Sequence, residues 1–425
     1  MVLTDVTTSI RVDTLDAGTY VLTGDGAHMD GAHGRAVDAL VVTWGRSHGL
    51  GHPEPGSIKF SVLTAVGAAA PWAMWESEVT VTVTRPGWPV LTVAVGWITE
   101  IDRTVITLAD GTQRWRWLVT CHDILGRAAA TSIDIERDPE TAEARMFAIN
   151  AAASSAVGIL ADTSGLWGRT VGPLDAGRSS ALDLIRRTVD YDSVAGETDQ
   201  AVIGSSRLTA GTVSVGPVEE PYLAFTGPAS TSTSIPATAV EDTGRRLDRA
   251  AKTDSITVTY IDDAGVETTV TLLPPIPSGT SSDLAIVTDH RLDLPELQLL
   301  AGLRAAITEA QHPTYQLPGA ARVATGQLSY AQLRALIGIN QRSGTVIYID
   351  GAPDDLEHVH VLLGGTLTVT GRELRLAIEV QPGRVSGVRQ LRYRETRAQD
   401  TGTRAVFRGS TYSIRRSLAI RIGAS

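Results

Sequence analysis

Two runs rich in β-branched and aromatic residues, Thr104 to Leu108 and Gln113 to Thr120, flank Asp110-Gly111. Asp-Gly between such runs predicts a β-hairpin with a type I′ turn, because both central residues of that turn need positive φ. In the second arm Trp115, Trp117 and Val119 share one face at period two, and Arg114, Arg116 and Leu118 take the other. Two tryptophans on one strand face can each cover roughly 200 Å² of apolar surface, enough to anchor a small barrel or sandwich. The chain then turns at His122-Asp123 into a short amphipathic segment, Ile124 to Ala129. The hairpin is read as one that closes a barrel.

Period-two alternation extends this reading over residues 1–130. Glu78 to Thr84 alternates strictly, and Val90 to Ile98 is a further run. Between Gly24 and Gly56 lies a loop-like stretch with a five-residue repeat, Asp25 to His28 and Asp30 to His33.

The period then changes. Residues 138–157 predict a helix, with Asp138 as N-cap, Pro139 in the first turn and Glu140 at the positive end of the dipole. Its buried stripe would be Ala142, Met146, Ile149, Ala153 and Val157. Ser180 and Asp183 open a second helix to Val189, buried through Leu182, Ile185 and Val189, with Arg186 and Arg187 facing water. From Thr198 to Thr243 the chain is polar, and 227–234 is the best loop candidate. Ser255 to Ile261 and Val266 to Leu272 predict a hairpin about Asp262 to Gly265. Pro295 to Ala310 and Tyr330 to Ile337 read as helices. Thr345 to Ile349, His358 to Leu363 and Thr366 to Val380 read as strands, with Gly364-Gly365 as a tight turn.

Composition changes the picture in three places. The net charge of −10 argues against a general nucleic-acid binder. The chain has two lysines, Lys59 and Lys252, against 35 arginines, a bias of genome composition rather than of function. The single cysteine, Cys121, excludes an internal disulfide and reads as a small buried residue near a strand end. There is no basic-then-apolar leader and no run of the roughly 18 apolar residues a spanning helix needs, so a soluble chain made in a cytoplasm is expected.

Candidate chemistry is sparse. No Gly-x-Ser-x-Gly elbow, His-Glu-x-x-His pair or phosphate-cradling loop occurs. His28, His33, His48 and His52 offer four nitrogens, but on a Gly-rich stretch with no regular structure to aim them. His358 and His360 alternate on one strand face and read as ordinary strand-surface histidines. Asp354, Asp355 and Glu357 cluster after Pro353 and read as a solvated turn rather than a glycosidase pair. Seven of the eight tryptophans lie between residues 44 and 117, where strand packing explains them. The expectation is no catalytic residue, no cofactor, no metal and no enzyme.

Charge asymmetry is the more informative signal. Residues 384–425 hold ten arginines and two acids, a net of +8, leaving 27 basic and 45 acidic residues elsewhere, a net of −18. Such asymmetry marks an interaction tail. Within it Leu418, Ile420 and Ile422 alternate with Ala419 and Arg421, the pattern of a strand with one buried face. Arg415, Arg416, Leu418, Ile420 and Ile422 are the candidate interaction residues.

The order of these motifs resembles one family. A strand ending in Gly96-Trp97-Ile98, a hairpin, a strand ending at Thr120-Cys-His-Asp123 and a short Leu-Gly-Arg helix look like the N-terminal region of hub-type minor tail proteins of long-tailed actinobacterial phages, which resemble contractile-phage baseplate hubs. Ser180 to Ile185, the 255–271 hairpin, the 295–310 helix and the strands from Thr345 to Pro382 follow in the same order, so the resemblance covers residues 75–385. It implies a mainly β, α+β chain of tandem β-barrels with a helical insertion and a C-terminal extended arm. The domains would be an N-terminal barrel over 1–130, a helical or mixed insertion over 131–250, a second barrel over 251–385 and a basic arm over 386–425. It implies a structural virion protein of the tail tip, a homotrimeric hub ring that closes the tail tube and docks the host-recognition apparatus. Its partners would be itself, the tube or distal tail protein, the tape measure protein and other minor tail proteins or fibres. DNA would pass only in transit, through an acidic or neutral lumen. A hexameric distal tail adaptor ring, and a tail-tip cell-wall hydrolase or carbohydrate binder, are the alternatives.

Overall fold

The computed structural model describes residues 2–15, 18–24, 29–31, 34–46, 53–153, 158–161, 170–189, 201–205, 212–217, 232–240, 255–262, 264–273, 283–291, 321–337, 346–350, 359–382, 394–396 and 406–407. Residues 7–122 give β1 (Thr7–Thr14), β2 (Gly18–Gly24), β3 (Met29–Gly31), β4 (Gly34–Arg46), β5 (Pro53–Ala65), β6 (Glu78–Thr84), β7 (Leu91–Thr107) and β8 (Gln113–His122). The middle of the chain gives α1 (Ile124–Ala130), β9 (Ser132–Asp134), β10 (Glu140–Thr141), α2 (Ala142–Ala153), β11 (Gly158–Ala161), β12 (Thr170–Val171), β13 (Arg178–Ser180), α3 (Ala181–Val189), β14 (Ala201–Ser205) and β15 (Thr212–Pro217). Then come β16 (Ser232–Pro236), β17 (Ser255–Ile261), β18 (Glu267–Leu273), β19 (Asp283–Arg291), β20 (Ala321–Val323), α4 (Tyr330–Ile337), β21 (Val346–Asp350), β22 (Val359–Thr370), β23 (Glu373–Pro382), β24 (Arg394–Thr396) and β25 (Val406–Phe407). The chain is mainly β with α+β character, as expected.

The principal sheet has 13 strands in the order β16-β21-β22-β4-β3-β2-β1-β6-β7-β8-β5, with β23 on β22 and β20 on β23. It curls, because β5 pairs with β4 as well as with β8. Its return path passes through the single pair Gly24↔Met29. At the other end the residues just after β16 meet β20 through the isolated bridge Val240↔Val323 and the Ala324 N–H bond to the Ala239 carbonyl (2.7 Å). Neither curl closes by continuous ladders. The barrels of the sequence reading are thus not closed, and strands 346–382 continue the same curled sheet through β22 on β4.

One core fills this sheet from both ends of the sequence. Val79, Val81 and Val83 of β6 point inward as their alternation predicts, and they share a cluster with Leu367 and Val369 of β22, Leu376 and Ile378 of β23, and Leu333 and Leu336 of α4. The buried Thr325 hydroxyl donates to the Leu374 carbonyl (2.7 Å) and accepts from the Leu3 N–H (2.9 Å), sewing residue 3 to β23.

Gly364-Gly365 is not the expected turn. β22 runs through both, and the chain reverses at Gly371, whose φ is +60°. The register shifts between Leu362 and Gly364, and a Cβ on Gly364 would lie 2.4 Å from Gly45 Cα and from the Trp44 carbonyl. The glycine pair lets two backbones cross at a bulge.

A second core joins α1, α2 and α3 to the other side of the sheet through Trp97, with Leu125, Met146, Ile149, Leu182 and Ile185 fully or almost fully buried. The predicted stripe of α2 is in place to Ala153; Val157 lies outside the described residues. The predicted cap is not. Glu140–Thr141 pairs with Thr170–Val171, the Thr141 hydroxyl accepts from Ala144 N–H (3.2 Å), and the helix begins at Ala142. Glu140 serves no helix dipole. It is held by Arg137 and by the buried Arg145 (2.7 Å), whose guanidinium also donates to the Gly172 carbonyl (2.7 Å). Arg137 first, and then Arg145, hold the Glu140 carboxyl below its usual range against the cost of burial. α3 is capped by Ser180 as predicted (Asp183 N–H to Oγ, 3.0 Å). Arg186 and Arg187 end in ion pairs with Glu54 (3.0 Å) and Glu267 (3.8 Å) rather than in open water.

The 255–273 hairpin forms as predicted, with Asp262 closing its turn, inside a seven-stranded sheet ordered β10-β12-β19-β17-β18-β24-β25. Residues 394–396 of the basic tail pair with β18 of the same chain. Strand β16 covers Ser232 to Ser234 of the expected loop. The helix predicted over 295–310 lies outside the described residues.

The two cores meet at the His122-Asp123 corner. Asp123 N-caps α1 by accepting from Gly126 N–H (3.1 Å), while its own N–H donates to the Gly56 carbonyl (3.2 Å). Three glycines let the corner close. A Cβ on Gly96 would lie 2.7 Å from the His122 carbonyl, on Gly126 2.4 Å from His122 Cβ, and on Gly56 2.8 Å from the Asp123 carboxylate. Alanine is normally favoured over glycine inside a helix by about 1 kcal/mol. At Gly126 the sign reverses, and Gly126→Ala is expected to destabilise the protein by about 1–3 kcal/mol through overpacking, read by urea unfolding.

Glu78 stands opposite Asp13 across β1 and β6. Burial first, and Asp13 second, push its carboxyl above the usual range, with Arg11 and Arg127 pulling back. A carboxyl raised in the fold costs stability once both folded and unfolded forms are ionised, and costs nothing below the unfolded value near 4.5. Glu78→Gln is therefore expected to raise Tm at pH 7 and to leave it unchanged near pH 3.5, by scanning calorimetry.

Candidate assembly surface

Among the described residues no group of three or more His, Cys, Asp or Glu side chains is placed to hold a metal ion. His28, His33, His48, His52 and His358 lie outside the described residues, as do Asp354, Asp355 and Glu357. His360 corrects its expectation: it sits opposite Ile347 on the inward face of β22 and is fully buried, not a surface histidine. Cys121 is fully buried as predicted, and desolvation pushes its thiol far above the ordinary range, which makes it inert. Arg415, Arg416, Leu418, Ile420 and Ile422 also lie outside the described residues.

What the described residues do assemble is a projecting ribbon. β6 pairs with β7 as far as Glu78↔Trp97, and Ser77 and Glu76 add hydrogen bonds to Ile98. Beyond Ile98, among the described residues, β7 is paired on one side only, with β8. A bulge between Ile98 and Glu100 leaves Thr99 out of the ladder, its hydroxyl donating to the Thr120 carbonyl (3.2 Å). Bulges bend a strand and increase its twist. Here the bulge divides β7 into a buried root, Val93 to Ile98, and a largely exposed arm, 99–107. β5 runs alongside β8 as far as Ala65↔Arg114, giving the arm three strands.

The sequence divides this strand into Val90 to Ile98 and Thr104 to Leu108. The structure joins them into 17 residues. The missed signal is Thr99-Glu-Ile-Asp-Arg103, where Ile101 alternates with Glu100 and Asp102 in the pattern of a strand with one wet face.

The arm's turn is also corrected. Gly111 alone takes positive φ (+81°); Gly111 N–H donates to the Leu108 carbonyl (2.9 Å) and Leu108 N–H to the Thr112 carbonyl (2.9 Å). That is a three-residue loop with a glycine bulge, not a type I′ turn. The Asp110 carboxylate accepts from Thr112 N–H (2.8 Å), which holds its pKa below the usual range.

One face of the arm is aromatic, as the period-two reading predicts. Trp117 packs edge-on against the buried Trp72 (centroids 6.0 Å), and its Nε1–H donates to Thr64 Oγ1 (2.9 Å). The Arg103 guanidinium lies over Trp115 (4.4 Å) and Trp117 (5.2 Å). This spends the one cation of the β7 segment 99–107 on the arm's own rings. On the opposite face Glu100 and Asp102 are exposed and make no ion pair among the described residues. Apolar side chains punctuate the surface: Trp75, next to the residues that end the β6 pairing, is 71% exposed, Val105 49% and Leu118 43%. An open edge with such side chains is a surface for strand addition.

Among the described residues no helix is long and apolar enough to cross a membrane. No protein-family model matches the sequence, and no curated protein matches it. Solved structures share its fold at low identity. The 43 kDa tail protein of prophage MuSo2 from Shewanella oneidensis is similar at TM-score 0.52 and 11% identity, over 90% of this chain and 100% of that one. A tail protein from Neisseria meningitidis MC58 is similar at TM-score 0.51 and 12% identity, over 88% of this chain and 96% of that one.

Proposed function

We propose that this chain is a structural component of a phage tail: a hub ring at the tail tip that closes the tube and docks the host-recognition apparatus. The observation that supports this best is the extent of the shared fold, which takes in the whole of a prophage tail protein and nine-tenths of this chain. The motif order read from the sequence points the same way independently. A mechanical role also suits what the surface offers, a three-stranded ribbon with an open edge, and no group placed to hold a metal ion among the described residues. The reading includes a homotrimer, virion localisation, contacts with tube, tape measure and other minor tail proteins, passage of DNA without tight binding, and no enzymatic activity. Closed cyclic symmetry suits a channel.

The test is quantitative mass spectrometry of purified particles with antibody labelling of the chain in negative stain. The expected result is three copies per particle at the distal end of the tail. Six copies would transfer the chain to the adaptor ring. Absence from particles, or release of soluble sugar from host wall by the pure protein, would overturn the structural reading.

A further inference from the structure

We infer that the open edge of β7 is the docking site for residues 417–422 of a second copy of this chain, added as an antiparallel strand. The inference rests on the ring reading above and names the contact that would build the ring.

The edge does not suit itself. Two copies of one edge that pair antiparallel about a two-fold axis keep each face on its own side, so residues opposite each other come from the same face. Centring such a pair on Asp102 or Arg103 sets that residue against its own copy, and like charges directly opposite are destabilising. Glu100 and Asp102 supply two acids on one face with no ion pair among the described residues, while Arg103 is held over Trp115 and Trp117 on the other. A docking strand would meet Ile101, Arg103 and Val105 on one face and Glu100, Asp102 and Thr104 on the other, with Arg114 and Arg116 of β8 one strand further in, so the edge calls for a strand that is mainly apolar on one side and sets a cation against Asp102 on the other.

The chain carries such a strand. Leu418, Ile420 and Ile422 alternate with Ala419 and Arg421 in the segment whose net charge is +8. One antiparallel register satisfies both faces together. It sets Ile422 opposite Ile101 and Leu418 opposite Val105 on the aromatic face, and Arg421 opposite Asp102 on the other face. This register sets Ile420 over Arg103, whose guanidinium lies back on the indoles, and keeps two apolar pairs on the aromatic face. Sliding by two residues one way leaves only Ile420 on Ile101 as an apolar pair on that face and moves Arg421 to Glu100; sliding the other way leaves only Ile420 on Val105 and moves Arg421 to Thr104. Strand addition is already a habit of this tail, since β24 adds to β18 and β25 adds to β24. From Phe407 to Ser417 is ten residues, a reach of up to about 35 Å, enough to leave one subunit for the next. An arm of one copy on the edge of another is a heterologous contact, the kind that closes into rings.

The test uses the full chain with single substitutions, Cys121 being buried. V105C chains are mixed with L418C chains under mild oxidation, and T104C, on the opposite face, replaces V105C in the control. The expected result is a disulfide-linked V105C–L418C pair forming about tenfold faster than T104C–L418C, since a one-residue slip flips every side chain to the other face. Sedimentation should then show D102R weakening association by about tenfold, salt-sensitively, and D102R with R421D restoring it. A bond that forms only inside doubly substituted single chains, equal rates for V105C and T104C, no bond at all, or no rescue by the charge swap would each overturn the inference. Because these are solution measurements on the pure chain, their failure is separable from absence of the chain from particles.

Discussion

The close approach at His122-Asp123 is the constraint on which the rest of the architecture depends. At this corner β8 leaves the principal sheet and α1 begins, so the two hydrophobic cores share one backbone reversal. Trp97 faces the helical core while Ile98, its neighbour, faces the sheet core, and Arg127 of α1 stacks on the Trp97 ring at 4.9 Å. A strand buried on both faces has no tolerance for a shift in register, because a shift by one residue would exchange the cores. Gly56, Gly96 and Gly126 supply the clearance from three directions, and Asp123 satisfies a helix N–H that the packed corner would otherwise shut away from water. The Gly-Trp-Ile and Cys-His-Asp motifs are thus the two halves of one joint.

The same joint explains why the ribbon can project. A hairpin alone in water is marginal. This one is clamped at its root by six buried residues of β7, thickened by β5 and stiffened along one face by Trp72, Trp117 and the Arg103 stack. The bulge at Thr99 sets the angle at which it leaves. An assembly surface is most exact when it sits on rigid elements, and Ile101 and Trp117 tie the inner part of the arm to the sheet core.

What could be read from the sequence was local. Glu78 to Thr84, the Asp262 turn, the Ser180 cap and α4 are each decided by neighbours within a few positions, and their patterns name them. Pairings between distant residues were not legible. Nothing in Gly364-Gly365 distinguishes a tight turn from a backbone crossing, because the crossing partner, Gly45, is over three hundred residues away. Asp138 is as good a cap as Thr141 until β12 arrives to pair with Glu140–Thr141 and Arg145 takes the carboxylate. Two runs of alternating strands read as two barrels for the same reason: period two reports a buried face, not which sheet buries it. For the candidate surface, the aromatic face was visible in Trp115 and Trp117, but its open edge was not, since a strand's partners end where another strand ends.

An open edge beside exposed apolar side chains is the arrangement that soluble proteins usually avoid. The first seven residues of the ribbon's outer strand carry two carboxylates, and its guanidinium is folded back onto indole rings. On the inference above, those charges would keep the edge from templating on copies of itself while leaving its N–H and C=O groups available. Specificity of this kind comes from penalising the wrong partner as much as from rewarding the right one. A chain whose body is acidic by 18 charges and whose last 42 residues are basic by 8 carries both halves of such a discrimination. In the ring proposed above, these charges would draw tail toward body between copies and hold body apart from body, so that association by the tail would stay ahead of aggregation by the edge.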